Sequence, residues 1–176
     1  LLAIWERKVR DLTEDLVFGT NADTMESVVL NLLEERGWTL GIAESVTGGL
    51  VGGRITSMPG ASRTFRGGII SYASEVKFEV LGVEPGPVVS ERAAMQMASG
   101  AQRVLGASVG LALTGVAGPD EQDGQPVGTL FVGVAFPDGR TFSSISQLPG
   151  QRDQMRQFSV INALSFLRKL LLAEPR

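Results

Sequence analysis

A chain of 176 residues with 43% apolar side chains and a formal net charge of −3 is long enough for one sizeable core and too short for two, and it offers no basic surface to a nucleic-acid partner. It contains neither histidine nor cysteine, which excludes disulfides, thiolate nucleophiles, Ser-His-Asp triads and the usual transition-metal ligands, leaving only a carboxylate-held hard cation open. No run approaches the roughly 18 apolar residues of a membrane span and the N-terminus lacks a signal pattern, so a cytoplasmic protein with no membrane partner is expected.

The first residue is Leu1, which suggests an excised piece of something longer. Residues 1–22 mix charged and apolar side chains and read as an extension or connector, with a short amphipathic helix as one form of it; the domain proper is expected over 23–176. Asp23 followed by Glu26 resembles a capping box, after which Met25, Val28, Val29, Leu32 and Leu33 recur at helical spacing until Gly37. Thr39 to Ala43, Gly68 to Tyr72 and Ser108 to Leu113 read as buried strands. Ser90 caps a helix with an apolar face of Ala94, Met97, Ala98, Ala101 and Leu105, and Gly106 stops it. Val127 to Phe136 reads as a long strand folded back by Pro137-Asp138-Gly139 onto Thr141 to Gln147. The last helix carries Met155, Phe158, Ile161, Leu164 and Leu167 as its apolar stripe. Together these predict a three-layer α/β/α sandwich with a mixed, mostly parallel sheet of about five strands and a C-terminal hairpin.

In an open α/β sheet, ligands bind at the carboxyl ends of the parallel strands. Three such ends converge, after Ala43, Ile70 and Leu113. Ser45, in Ala43-Glu44-Ser45-Val46-Thr47-Gly48-Gly49, sits where a strand meets a glycine-rich helix start. It is either a helix cap with close-packing glycines, or a hydroxyl beside an anion site built from backbone N–H groups. Tyr72 and Lys77 follow the second strand and can lean over the same edge, which makes a Ser–Tyr–Lys cluster available if burial lowers the lysine's pKa. Taken singly, Lys77 reads as a solvated helix lysine and Tyr72 as a half-buried strand tyrosine. Thr114-Gly115-Val116-Ala117-Gly118-Pro119 can cradle a phosphate or carboxylate on its amides, or simply turn the chain. Asp120 to Gln125 reads as a flexible, solvated acidic loop without metal-ligand spacing. Arg152 and Arg156 share a helix face, where one can meet an anion.

The ordered series of these strings resembles the C-terminal domain of the CinA family, the competence- and damage-inducible proteins whose C-terminal module acts as a nicotinamide-nucleotide amidase. The resemblance runs from about Leu30 to Leu167. It rests on A-E-S-V-T-G-G at 43–49, Pro59-Gly60-Ala61-Ser62, Gly67-Gly68 with Tyr72 and Lys77, Val89-Ser90-Glu91, T-G-V-A-G-P at 114–119, Pro126-Val127-Gly128, and Gly150 with Arg152. It implies hydrolysis of the carboxamide of nicotinamide mononucleotide to nicotinic acid mononucleotide and ammonia, without metal or organic cofactor, with that nucleotide as small-molecule partner and a homo-oligomeric assembly. By similarity, Ser45 is the nucleophile, Lys77 takes its proton and Tyr72 relays it toward ammonia. The amides around Thr47, Gly48 and Gly49 would hold the oxyanion. Thr114, Gly115, Ala117, Gly118, Pro119 and Arg152 would hold ribose and phosphate, while Gly67 and Gly68 leave room for the pyridine ring.

Three positions depart from the family pattern. Val46 stands where cysteine is usual, Gln151 where an aspartate precedes the arginine, and the acidic 120–125 segment where the loop is usually glycine-rich. Two further readings compete: a nucleotide-sensing module that binds without turnover, and a small esterase or peptidase using the same Ser–Lys pair.

Overall fold

The structure, a computed structural model, describes residues 2–13 and 16–175; Leu1 lies outside them. The strands β1 (Leu40–Glu44), β2 (Phe65–Ile70), β3 (Val109–Gly115), β4 (Thr129–Ala135) and β5 (Thr141–Gln147) form one sheet in the spatial order β2-β1-β3-β4-β5. β1 is parallel to β2 and β3, whereas β4 is antiparallel to β3 and β5 to β4. All strands but β4 therefore point one way, although the β3–β4 and β4–β5 ladders are both antiparallel. The cause is the β3–β4 connection: it contains no helix, so the chain turns back at the edge it has just reached.

The helices are α1 (Leu2–Thr13), α2 (Met25–Glu34), α3 (Leu50–Thr56), α4 (Ser74–Glu79), α5 (Glu91–Leu105) and α6 (Arg152–Ala173). α2, α3 and α6 cover one face of the sheet and α5 covers the other, with Phe78 of α4 beside it. This is the expected three-layer sandwich. α1 buries no residue.

The strands sort their side chains by size, because successive residues point to opposite faces. Leu40 and Ile42, Val109, Leu111 and Leu113, and Leu130, Val132 and Val134 face α2 and α6, forming the larger core with Leu33, Met155, Val160, Leu164 and Leu167. Ala43, Ala112 and Ala135 face α5 and meet Ala94, Met97, Ala98 and Ala101. On that face a side chain at Gly110 would lie 1.9 Å from the carbonyl oxygen of Ala98, and one at Gly133 would lie 2.1 Å from that of Ala94. Small residues thus seat α5 directly on the sheet backbone.

Several boundaries differ from expectation. α2 is capped by Thr24 rather than Asp23: Thr24 Oγ1 accepts from Ser27 N and Ser27 Oγ from Thr24 N. Asp23 instead accepts from Thr20 N. β2 begins upstream of Gly67-Gly68, which are strand interior, because Ile42 packs where a Gly68 side chain would lie. It ends at Ile70, so Tyr72 is outside the sheet. β4 starts only at Thr129, after Gly128 at φ +95°. On α6 the buried residues are Met155, Ser159, Val160, Ala163, Leu164, Leu167, Arg168 and Leu171, while Phe158 and Ile161 are 47% and 39% exposed. Successive three-residue steps fall short of a full helical turn by about 60° each, so Phe158 and Ile161 pass around the outer side of the helix between the buried Met155 and the buried Leu164 and Leu167. Among the described residues, no helix is long and apolar enough to cross a membrane.

Candidate active site

β1 delivers Ser45 to the carboxyl edge of the sheet, where Ser45 N still donates to Leu113 O (3.0 Å) of β3. The chain then reverses. Gly48 N donates back to Ser45 O (3.2 Å), and Gly48 and Gly49 adopt φ of +59° and +103°, a left-handed run that glycine enters without a Cβ penalty. Glu44, 2% exposed, folds its carboxylate under the turn. Its Oε2 accepts from Gly49 N (3.0 Å) and Val51 N (3.1 Å), and its Oε1 from Gly52 N (2.9 Å). The N-terminus of α3 is therefore satisfied by the chain's own anion. This corrects the expectation that the amides of Gly48 and Gly49 stand free. Within 46–49, the N–H groups left without an acceptor among the described residues are those of Val46 and Thr47. Thr47 is itself fully buried, and its Oγ1 has no hydrogen-bond partner.

Lys77 is 1% exposed, contrary to a solvated helix lysine. α4 carries it back under the 71–72 segment, where Nζ donates to Ser71 O (2.6 Å) and Tyr72 O (3.3 Å). One of its three donor positions remains. Burial pushes its pKa below the ordinary 10.5, while the Asp123 and Glu75 carboxylates act in the opposite direction. Ser45 and Lys77 border one cavity of about 150 Å³, without a direct hydrogen bond between them.

Thr114, Gly115, Ala117 and Gly118 form another wall of this cavity, with Val46, Val88, Val89 and Val116. Thr114 Oγ1 donates to Val88 O (2.8 Å), tying β3 to the segment that leads into α5. Tyr72 and Arg152 border the mouth. Tyr72 is 61% exposed, and its hydroxyl accepts from Arg152 Nη2 (2.7 Å), while Arg152 Nη1 donates to Gly118 O (2.9 Å). The orienting contacts of this guanidinium come from a phenol and a carbonyl, with Gln151 serving instead in a capping box with Gln154.

The 120–125 loop is solvated as expected, with residues 120–124 exposed, but it is pinned rather than loose. Asp123 Oδ2 accepts from Val88 N (2.8 Å) and Val89 N (2.9 Å), and Gln122 and Gln125 exchange backbone hydrogen bonds. Asp120 and Gln122 consequently reach the cavity rim.

Of the residues singled out from sequence, Ser45, Tyr72, Lys77, Thr114, Gly115, Ala117, Gly118 and Arg152 meet at this cavity. Thr47, Gly48 and Gly49 lie in the turn behind it. Gly67 and Gly68 lie in β2 against Leu105 and Ile42, so they make room for packing and not for a ring at this cavity. Pro119 is exposed beyond the rim, in cis peptide linkage with Gly118. The contributions of Glu44, Asp123 and Arg156 escaped the sequence reading. For Glu44 the signal was partial: a glutamate separated from a helix start only by a short glycine-rich turn can fold back and complement the helix dipole.

The CinA C-terminal domain profile matches residues 22–171. A CinA-like protein of Frankia casuarinae is 48% identical across 99% of the chain, which covers 41% of that relative. One from Kosmotoga olearia is 36% identical across 98% of the chain and 43% of the relative. The chain thus spans about two fifths of the length of these relatives. Among solved structures, a CinA superfamily protein from Klebsiella pneumoniae superposes with a TM-score of 0.82 at 27% identity, covering 88% of this chain and 100% of that one. A competence/damage inducible protein from Agrobacterium tumefaciens gives 0.79 at 28% identity, covering 88% and 98%.

Proposed function

The chain belongs to the CinA C-terminal domain family, and from that premise we propose that it hydrolyses the carboxamide of nicotinamide mononucleotide to nicotinic acid mononucleotide and ammonia. The observation that carries this reading is the opening of Ser45 and the buried Lys77 into one cavity, with Arg152 at its mouth. In the absence of histidine, a lysine whose pKa is lowered by burial supplies the base.

Ser45 Oγ attacks the carboxamide carbon as its proton passes to the neutral amine of Lys77. The N–H group of Val46, at the cavity wall, meets the oxyanion. Collapse breaks the C–N bond, and the nitrogen departs as ammonia with the proton that Lys77 held. Water then attacks the acyl-Ser45 ester while Lys77 takes a proton from it and returns one to Ser45 Oγ, freeing the acid. A cavity of about 150 Å³ is the size that holds one six-membered aromatic ring, so the ribose and phosphate run outward over Asp120, Gln122 and Arg152. Tyr72 serves this outer end by holding Arg152, and as a proton relay only after its hydroxyl leaves that partner.

A second reading, a nucleotide-binding module without turnover, is favoured by one observation: both Nζ hydrogen bonds of Lys77 go to carbonyls and neither to Ser45. Ammonia release from nicotinamide mononucleotide by the purified chain, alongside Ser45→Ala, separates the two. Serine-dependent release supports the amidase. A folded, nucleotide-binding chain that releases none supports the binding module, and release persisting at the wild-type rate in Ser45→Ala removes the nucleophile.

A further inference from the structure

Arg156 lies one turn beyond Arg152 on α6, and it faces the back of the Ser45 turn. Its Nε donates to Val46 O (3.1 Å) and its Nη2 to Thr47 O (2.9 Å). The nearest carboxylate, Asp153, is 3.8 Å from Nη1 and largely exposed. A guanidinium spends its charge here on two successive main-chain carbonyls, and its planar fork fixes both peptide planes together.

The two peptides concerned are trans, so each points its C=O and its N–H to opposite sides. The plane that shows Val46 O to Arg156 turns Thr47 N–H away from it. The plane that shows Thr47 O turns Gly48 N–H away, and that group meets Ser45 O at 3.2 Å. Glu44 holds the far end of the turn through Gly49, Val51 and Gly52. Between these two clamps lie Ser45 and Val46, which border the cavity, and the Val46 N–H has no acceptor among the described residues.

We propose that Arg156 is a positioning residue for the nucleophile turn: by gripping the carbonyls of Val46 and Thr47 it fixes the main chain that presents the Val46 N–H at the cavity wall as an oxyanion donor and holds Ser45 in register with it. The assignment rests on Ser45 being the nucleophile, and it does not depend on which amide or ester is cleaved.

The test compares wild type with Arg156→Met, which keeps the aliphatic stem without donors, and Arg156→Lys, whose single ammonium does not reproduce the fork. Two readouts are used: kcat and KM for ammonia release from nicotinamide mononucleotide, and the rate at which a fluorophosphonate labels Ser45. Loss of an oxyanion donor lowers turnover by about 10²–10³-fold, so kcat and labelling in folded Arg156→Met should fall by roughly that factor with KM within about threefold. Arg156→Lys should be intermediate. A purely structural role would lower the Tm yet leave kcat and labelling of the folded fraction unchanged, and that result overturns the proposal. Should Arg156→Met not fold, wild-type labelling in folded Arg156→Lys overturns it equally. Wild type that labels but releases no ammonia removes the amidase reading alone, with Arg156 then judged on labelling; wild type that does neither removes both.

Discussion

Lys77 Nζ donates a 2.6 Å hydrogen bond to the carbonyl oxygen of Ser71, and the amide of Ser71 is in turn bonded to the carbonyl of Glu44, the neighbour of Ser45. The candidate base and the candidate nucleophile are thus held at opposite ends of one short hydrogen-bonded bridge between β1 and the start of α4.

The pH dependence follows from the charge state of that base. Burial holds the Lys77 pKa below 10.5 in the folded chain. Between the lowered value and 10.5 the unfolded chain binds the extra proton, so this residue's contribution to stability rises with pH across that window. Turnover should likewise rise as the neutral amine forms. Asp123→Asn removes a carboxylate that opposes the lowering, so the acid limb of the kcat profile should move to lower pH. Lys77→Met should abolish that limb and flatten the corresponding rise in stability. Ammonia release and urea unfolding measured across pH check both expectations.

Glu44→Gln tests the clamp beneath the turn. Both carboxylate oxygens accept main-chain N–H bonds, and an amide would present N–H to one of these donors. Losing charge-assisted bonds at a buried position should cost about 2 kcal/mol of stability. Urea denaturation measures it, and kcat should fall as well because the turn carries Ser45.

Tyr72→Phe separates binding from proton relay. The Tyr72 hydroxyl lies on Arg152 Nη2, so its removal should raise KM for the nucleotide up to about tenfold, the worth of one such hydrogen bond, with kcat within about threefold. A large fall in kcat at unchanged KM would return Tyr72 to the relay role.

The features legible in the sequence were those set by local pattern. Ser45 and Lys77 follow strands and Thr114 lies in the last residues of one, and strand ends of an open α/β sheet converge; Ser90 and Gly106 bracket α5 as their capping chemistry demands. What escaped depends on distant partners. Arg156 meets Val46 across 110 residues and Asp123 meets Val88 across 35, and no periodicity encodes either pairing. Gly67 and Gly68 were assigned to the pyridine ring by family resemblance, whereas the groups that approach them are Leu105 and Ile42. The alternation of large and small residues in Val109-Gly110-Leu111-Ala112-Leu113 was visible, and it distinguishes the α6 face from the α5 face.

The β3–β4 connection is closed at its neck by reciprocal bonds, with Val116 N to Thr129 O and Gly128 N to Val116 O. It leaves and re-enters the same edge without crossing the sheet. Residues 118–127 can therefore vary without disturbing the sheet register, provided that Asp123 keeps its hold on Val88 and Val89. Divergence of ligand preference within this architecture has a place to occur outside the sheet, and a graft of a glycine-rich loop that retains Asp123 would alter the rim while retaining the scaffold.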